Sequence, residues 1–452
     1  MKLKFLGATG TVTGSKYLLT TKQAKILIDC GLFQGYKNLR ERNWAALPFD
    51  ASQIDAVVLT HGHLDHSGMI PLLYKNGYRG PVYCSEATFE LCKLLLPDSG
   101  YLQEEEAKYR NRHKQTKHKP ALPLYDLKTA RNSLSLFSPI KYHTLISVKD
   151  VQIKLSPVGH ILGAASIKII HNNKSLIVSG DVGRPNELVM YTPEPLEECD
   201  YLLVESTYGN RLHTVVEDEA EVLAQTINQT ITQGGSVLIP SFAIGRAQTI
   251  MFILSELIRL KKIPKIPIYL DSPMAINASS IYHRFNAEHR LSEEQFQSIN
   301  NLVEYTKSVD ESKAIAFVKY PHIIISASGM ATGGRVLHHL KQLLPNYRNA
   351  VIFVGYQAGG TRGRKLLNKD KEVRIFGRDV KVKADISEIS SFSAHADYNE
   401  MISWLKKSNM SRPPKVFIVH GEPDASDEFR LHLKNQFGWD ATVPDYLGEY
   451  EL

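Results

Sequence analysis

The sequence predicts an α/β protein in which a strand-rich domain is interrupted by a second α/β domain with a parallel sheet. Three observations lead there. The first two hundred residues read as short apolar runs broken by Gly-rich turns. After Glu205 helical and strand patterns alternate, the signature of a parallel sheet. From about residue 380 the strand-rich character returns. A chain of 452 residues is also too long for one core. The expected division is 1–207, an insert over 208–380, and 381–452.

In the first part "KYLLTT", "AKILIDCG", "DAVVLTH", "GPVYCS", "VQIKLSPVGH", "ASIKIIH", "KSLIVSGD" and "DYLLVEST" fit strands, with few helices between them. Several end in a polar residue just past the apolar run: Asp29, His61, His160, Asp181 and Glu205. Side chains at such ends can converge on one edge of a sheet. In the insert, "EDEAEVLAQTINQTITQGGSVLIPSFAIGRAQTIMFILSELIRL" reads helix, strand, helix. "KIPIYLDSP", "HIIISASG" and "NAVIFVGYQ" read as buried strands, and "GGRVLHHLKQLL" as a helix between two of them. The last part reads as strands over "VKVKADISEISSFSAHAD", then a helix "NEMISWLKK", then a strand "PKVFIVHGE".

Composition narrows the class. With 43% hydrophobic and 22% charged residues the chain resembles an ordinary globular protein. No apolar run approaches the roughly 20 residues of a membrane span, and the N-terminus reads as a strand and a Gly/Thr-rich turn instead of a signal peptide. The four cysteines make no CxxC pair and no disulfide pattern. That points to a reducing, cytoplasmic setting and to metal chemistry without thiolates. The net charge of +7 permits an anionic partner. The run "KYRNRHKQTKHK" (108–119) is basic and holds no acid; it is either a solvated face or a contact surface for backbone phosphates.

The stretch "LTHGHLDHSG" (59–68) crowds His61, His63, Asp65 and His66 together. On extended backbone His61 and His63 point the same way. Asp65 and His66 sit on the turn beyond and reach a second point nearby. His160, Asp181 and His420 each follow an apolar strand. Singly, each has a structural reading as a cap or a satisfied core residue. Together with the 59–68 loop they give five histidines and two aspartates. That set can hold two Zn²⁺ if one aspartate bridges. A metal pair some 3.5–4 Å apart would activate a water and hold a phosphoryl oxygen. His395 in "SFSAHADY" and Glu205 in "VESTYGN" fit a different role, a proton donor to a leaving oxygen and the carboxylate that orients it. The insert offers Gly-rich turns entering helices: Ser328, Gly329, Thr332 and Gly333 in "SASGMATGGR", Ser241 and Arg246 in "PSFAIGRAQ", and Arg362 in "GGTRGRK". Their N–H groups and cations could grip substrate phosphates.

At this point the sequence resembles the metallo-β-lactamase superfamily and, within it, the β-CASP nucleases. The HxHxDH motif stands as His61-Gly-His63-Leu-Asp65-His66, and Asp29, His160, Asp181, Glu205, His395 and His420 match the family's other motifs. "GMATGGR", "VGYQAGGTRGR", "FSAHAD" and "VHGE" are similar to the bacterial and archaeal RNA-processing members, themselves relatives of the pre-mRNA 3′-end cleavage endonuclease. The resemblance implies a four-layer αβ/βα sandwich with the β-CASP insert over it and the active site in the cleft between. It implies one zinc on His61, His63 and His160, another on Asp65, His66 and His420, and Asp181 bridging. It makes Asp29 the residue that orients a ligand histidine, and it sets Asp29 and Asp65 beside Glu205 and His395 as catalytic. Histidine at 420 implies RNA as the substrate. A homodimer is implied as well, though no interface stands out. The archaeal N-terminal RNA-binding extension and the long C-terminal tail of other relatives are absent from the sequence, which leaves substrate grip to the insert, the basic run or a partner.

The expected function is zinc-dependent hydrolysis of single-stranded RNA, endonucleolytic or 5′–3′ exonucleolytic, with two Zn²⁺ per chain and His395 as general acid. A DNA nuclease of the same fold is the alternative enzyme. An RNA-binding scaffold with a structural metal site is the non-catalytic alternative, and it has no need of the Glu205–His395 pair. A small-molecule hydrolase would not need so large an insert.

Overall fold

A computed structural model describes the chain except for residues 115, 117, 214, 215, 390, 391 and 409 and the side chains of 216–219. The chain forms two compact units. The first comprises 1–186, 191–212 and 395–452, and the second 187–190 and 213–394.

In the first unit, among the described residues, two seven-stranded sheets face each other. One has the strand order 449–451, 2–5, 17–20, 25–28, 56–58, 82–84, 137–139. The other runs 441–442, 415–419, 201–205, 174–178, 165–171, 151–157, 146–148. Alternation along each strand decides which core a residue joins. Leu19, Ile26, Ile28, Ala56 and Val58 join Ile153, Ile167, Leu203 and Phe417 between the sheets. Their neighbours Leu18, Leu27 and Val57 point outward onto a layer with Ile70, Leu73, Cys92 and Leu96. On the far side Leu202 and Val204 pack with Met401, Trp404, Phe429 and Leu433. These contacts give the four layers: helices, sheet, sheet, helices.

The first two hundred residues are more helical than the sequence suggests. A 27-residue helix runs Glu86–Arg112, with Ser85 as its N-cap accepting from Thr88 N. It has no clean apolar stripe and carries Pro97 inside. Both obscure it in the sequence, and burial of Leu91, Cys92, Leu95 and Leu96 holds it in place.

In the second unit, among the described residues, six parallel strands run in the order 303–305, 268–271, 323–326, 237–240, 350–353, 385–388. Helix Val216–Thr232 precedes the first of them in the chain, and helices Arg246–Arg259 and Val336–Leu343 lie between them. The strand Asp385–Glu388 pairs with Ala350–Phe353 and so belongs to this sheet. The expected boundary at 380/381 therefore separates that strand from its partner, and the unit continues to Ala394. No described helix is long and apolar enough to cross a membrane.

The basic run is only partly described, since Gln115 and Lys117 lie outside the described residues. Lys108 and Arg110 stand on the long helix. Each pairs with an acid one turn back, Lys108 with Glu105 at 2.8 Å and Arg110 with Glu106 at 2.5 Å. Part of the run's charge is thus balanced locally.

Candidate metal centre

Every candidate ligand sits at or just past the end of a strand in the first unit. The strand Ala56–Val58 leads to His61, and the short helix Leu64–Ser67 carries Asp65 and His66. His160 follows Val151–Pro157, Asp181 follows Lys174–Val178, and His420 follows Lys415–Val419. Asp29 and His420 take left-handed backbone at φ 56° and 51°, uncommon for side chains of this kind. Gly421 makes room for the turn after His420, because a Cβ there would lie 2.1 Å from Ser206 Oγ.

Two groups of ligand atoms result. In the first, His63 Nδ1 is 3.1 Å from His61 Nε2 and 3.3 Å from His160 Nε2. Asp181 Oδ2 is 3.5 Å from His61 Nε2 and 3.6 Å from His160 Nε2. Tetrahedral zinc with bonds near 2.0–2.1 Å needs ligand atoms about 3.3 Å apart. In the second, His420 Nε2 is 3.3 Å from His66 Nε2 and 3.5 Å from Asp65 Oδ2. Asp181 Oδ1 turns to this side, 3.3 Å from His66 Nε2. It is buried and accepts no hydrogen bond from any described residue. A buried carboxylate oxygen left so is costly unless a cation meets it. The donor set therefore fits two divalent cations sharing Asp181.

Proton bookkeeping fixes which nitrogen three of the rings present. Carboxylates only accept, so His66 Nδ1–H donates to Asp29 Oδ2 at 2.8 Å and Nε2 faces the centre. Thr60 Oγ1 gives its one proton to Asp29 Oδ2 at 2.9 Å. It must then accept from His61 Nδ1–H at 3.1 Å, which leaves His61 Nε2 as the ligand atom. On the other side Thr207 Oγ1 donates to Glu205 Oε2 at 2.5 Å and accepts from His420 Nδ1–H at 3.0 Å. His420 Nε2 is thereby turned to the second group. Thr60 and Thr207 are functional residues the sequence reading missed. Their signal was adjacency: each touches a motif, in "LTHGH" and "VEST".

The electrostatics agree with a cation site. Burial, joined by His66, pushes His61 well below its ordinary pKa, and burial holds His63 down to about 4. Both are thus in the neutral, ligating form. For His66 burial is outweighed by Asp181, Asp29 and Asp65, and its pKa is driven well up. In the bare chain a proton there answers the carboxylates, and a metal ion would replace it.

His395 stands at the edge of this centre. Its Nδ1 is 3.0 Å from Glu205 Oε2 and 4.0 Å from Asp181 Oδ2, and its ring lies 4.5 Å from that of His160. Burial disfavours the charged ring, but Glu205 and Asp181 outweigh it and raise the pKa. Glu205 is itself fixed by Val182 N at 2.5 Å as well as by Thr207. These nine residues lie together in one cluster in space.

The phosphate-binding expectations all fall in the second unit. Ser328, Thr332 and Gly333 lie on a partly open loop, with Ser328 Oγ 3.0 Å from Thr332 Oγ1. Gly329 is buried, and a Cβ there would meet the Phe242 ring at 2.7 Å. Ser241 is buried, its hydroxyl donating to Phe242 O. Arg246 is 5% exposed, with Nη1 4.0 Å from Glu187 Oε1. Arg362 departs from its expected part: Nε donates to Arg374 O at 2.9 Å and Nη1 to Ala331 O. The bond to Ala331 O braces the 328–334 loop, because a half-buried guanidinium takes the carbonyls it can reach.

Fold and site together define a metallo-hydrolase. Its family follows from comparison with known proteins. The model of the metallo-β-lactamase superfamily matches residues 9–240, that of the Beta-Casp domain 247–366, and that of the Zn-dependent metallo-hydrolase RNA specificity domain 379–444. The chain is 34% identical to ribonuclease TTHA0252 of Thermus thermophilus over 94% of both chains. It is 33% identical to an RNase J-like protein of Methanocaldococcus jannaschii over 95% of both. It is 32% identical to the transcription termination factor FttA of Methanosarcina mazei, over 94% of this chain and 67% of that one. Among solved structures, a protein of unknown function from Enterococcus faecalis shares the fold, with a TM-score of 0.54 at 12% identity over 100% of this chain and 99% of that one. The chain therefore belongs to the metallo-β-lactamase superfamily, in its β-CASP nuclease branch.

Proposed function

We propose that this chain is a zinc-dependent ribonuclease that hydrolyses phosphodiester bonds of single-stranded RNA in RNA processing or decay, with two Zn²⁺ per chain. The observation that carries the reading is the pair of adjoining ligand groups joined by Asp181, with the His395–Glu205 pair at their edge. Its relatives named as ribonucleases, and the matching RNA specificity domain, support RNA as the substrate.

His61, His63 and His160 would hold one ion, Asp65, His66 and His420 the other, and Asp181 both. When bound, the metal pair supplies Lewis-acid activation of the attacking water and neutralises charge on the phosphoryl group. The remaining work falls to the chain. Asp29 and Thr60 hold the rings of His66 and His61 in the ligating tautomer. His395 donates a proton to the departing 3′ oxygen from Nε2, since Nδ1–H is committed to Glu205. Glu205 keeps that ring oriented and charged. In the second unit the Ser328–Gly333 loop grips a flanking phosphate, while Ser241, Arg246 and Arg362 support the fold around it. A homodimer and a cytoplasmic location complete the reading.

The test is digestion of labelled RNA and of DNA of the same sequence, with and without a chelator, beside elemental analysis. RNA cleavage that the chelator abolishes, with close to two zinc ions per chain, is expected. Preferential cutting of the DNA would favour a DNA nuclease. An intact RNA despite full zinc content would favour the scaffold.

A further inference from the structure

Outside the metal centre, the first unit shows an aromatic and basic surface that its own packing leaves exposed. Trp44 is 61% and Tyr36 54% exposed, and Lys37 and Arg40 between them are exposed too. The segment that carries them is tied to the metal-bearing turn. Cys30 N donates to His66 O at 2.7 Å and Leu32 N to Leu64 O at 2.9 Å. Gly31 passes so close that a Cβ there would lie 1.5 Å from Asp65 O. The chain then loops out and comes straight back. Asn43 closes the neck, its side chain accepting from Phe33 N at 2.9 Å and donating to Phe33 O at 2.8 Å. Arg42 rivets the base, 4.1 Å over the Tyr446 ring. The loop is thus a built projection rooted on the turn that carries Asp65 and His66.

We propose that Trp44 and Tyr36 stack on nucleobases of the single-stranded RNA flanking the scissile phosphate, with Lys37 and Arg40 meeting its backbone. The proposal rests on the ribonuclease reading and adds to it where the substrate is held. Three features select this occupant. Aromatic faces interleaved with cations are what single strands bind, since every base has a π-face and every linkage a charge. Between the two aromatics the chain carries Lys37, Arg40 and Arg42 against one acid, Glu41, whereas the core of a protein-docking face is depleted of charge. The Lys37–Glu41 pair, 3.6 Å apart and exposed to solvent, is weak and yields readily to a phosphate.

Tryptophan makes the test direct. The chain has three, and Trp404 and Trp439 are buried at 6% and 7% exposure, so quenching by an added ligand reads Trp44. The zinc-loaded protein is titrated with a hydrolysis-resistant 2′-O-methyl phosphorothioate oligoadenylate and with an abasic strand of the same length and linkage. The oligoadenylate is expected to quench emission and the abasic strand not. Trp44→Ala and Tyr36→Ala should each raise KM for RNA about 5- to 100-fold, with hydrolysis of bis(p-nitrophenyl) phosphate unchanged and Trp44→Phe largely restoring KM. Equal quenching by the abasic strand, or an unchanged KM in Trp44→Ala, overturns the proposal. So does a shift of Trp44 emission with protein concentration alone, which would mark a contact between copies. Because binding is read without turnover, failure to stack and failure to cut RNA are told apart.

Discussion

Two buried aspartates, one closing a strand and one just past a strand, stand in the two units and have opposite fates. Asp271 closes the strand Ile268–Asp271 and is 0% exposed. Its Oδ1 accepts from Arg335 Nη1 at 2.7 Å, and its Oδ2 from His339 Nε2 and Ser312 Oγ, both at 2.6 Å. Asp181, 2% exposed, has imidazoles on every side, and no described lysine or arginine pairs with it. A guanidinium fills the first site and makes it a strut. The imidazoles around the second are titratable and carry no permanent charge, so a metal ion can take the place of their protons and make it a site. The same residue type near the end of a strand thus serves structure or chemistry according to whether the fold supplies a permanent positive charge.

Removing the shared carboxylate should have the largest effect. Asp181→Ala is expected to lower metal content below two per chain and to cut activity by at least roughly 10³-fold, since nucleophile and phosphoryl group both lose their support. Full zinc content in this variant, measured by elemental analysis, would dissolve the contrast with Asp271.

Next comes the proposed proton donor. His395→Ala should keep both zinc ions and RNA affinity while losing about 10²–10⁴-fold in rate. Glu205→Gln should lose less, and the double variant little more than His395→Ala, because the two act as one device. An RNA with sulfur at the scissile 3′ bridging position has a leaving group that needs no proton. Near-normal cleavage of it by His395→Ala is expected, and equal impairment on both substrates would remove His395 from that role.

The smallest effect on chemistry, though not on stability, is expected at the strut. Asp271→Ala strands Arg335 and His339, at a cost of about 3 kcal/mol and a fall in Tm on the order of 10 °C. Zinc content should not change. Burial raises the Asp271 pKa, but hydrogen bonds from His339, Ser312 and Arg335 outweigh it and leave it below its ordinary 3.8. A carboxyl lowered on folding stabilises fully above its unfolded pKa and loses that contribution as pH falls through the folded one. Asp271 therefore adds no pH dependence near neutrality. Melting curves of Asp271→Asn and wild type that converge only below about pH 4 would bear this out, and a difference that changes between pH 5 and 8 would not.

The sequence by itself determined the candidate ligand types and their places in the chain. His61, His63, Asp65 and His66 were legible because a strand followed by a tight turn fixes their directions within a few residues, and backbone geometry is local. The alternating and helical periods likewise marked the two kinds of sheet. The helix Glu86–Arg112 was hidden, because its mixed pattern acquires a buried face only against neighbours distant in sequence. What only the tertiary structure decided was pairing. It set Thr60 and Thr207 to choose tautomers, turned Asp181's two oxygens to different ligand groups, and gave Arg362 to carbonyls and Arg335 to Asp271. A charged side chain's role depends on which partner reaches it first in a dry interior, and that is fixed by distances of about 3 Å between segments hundreds of residues apart.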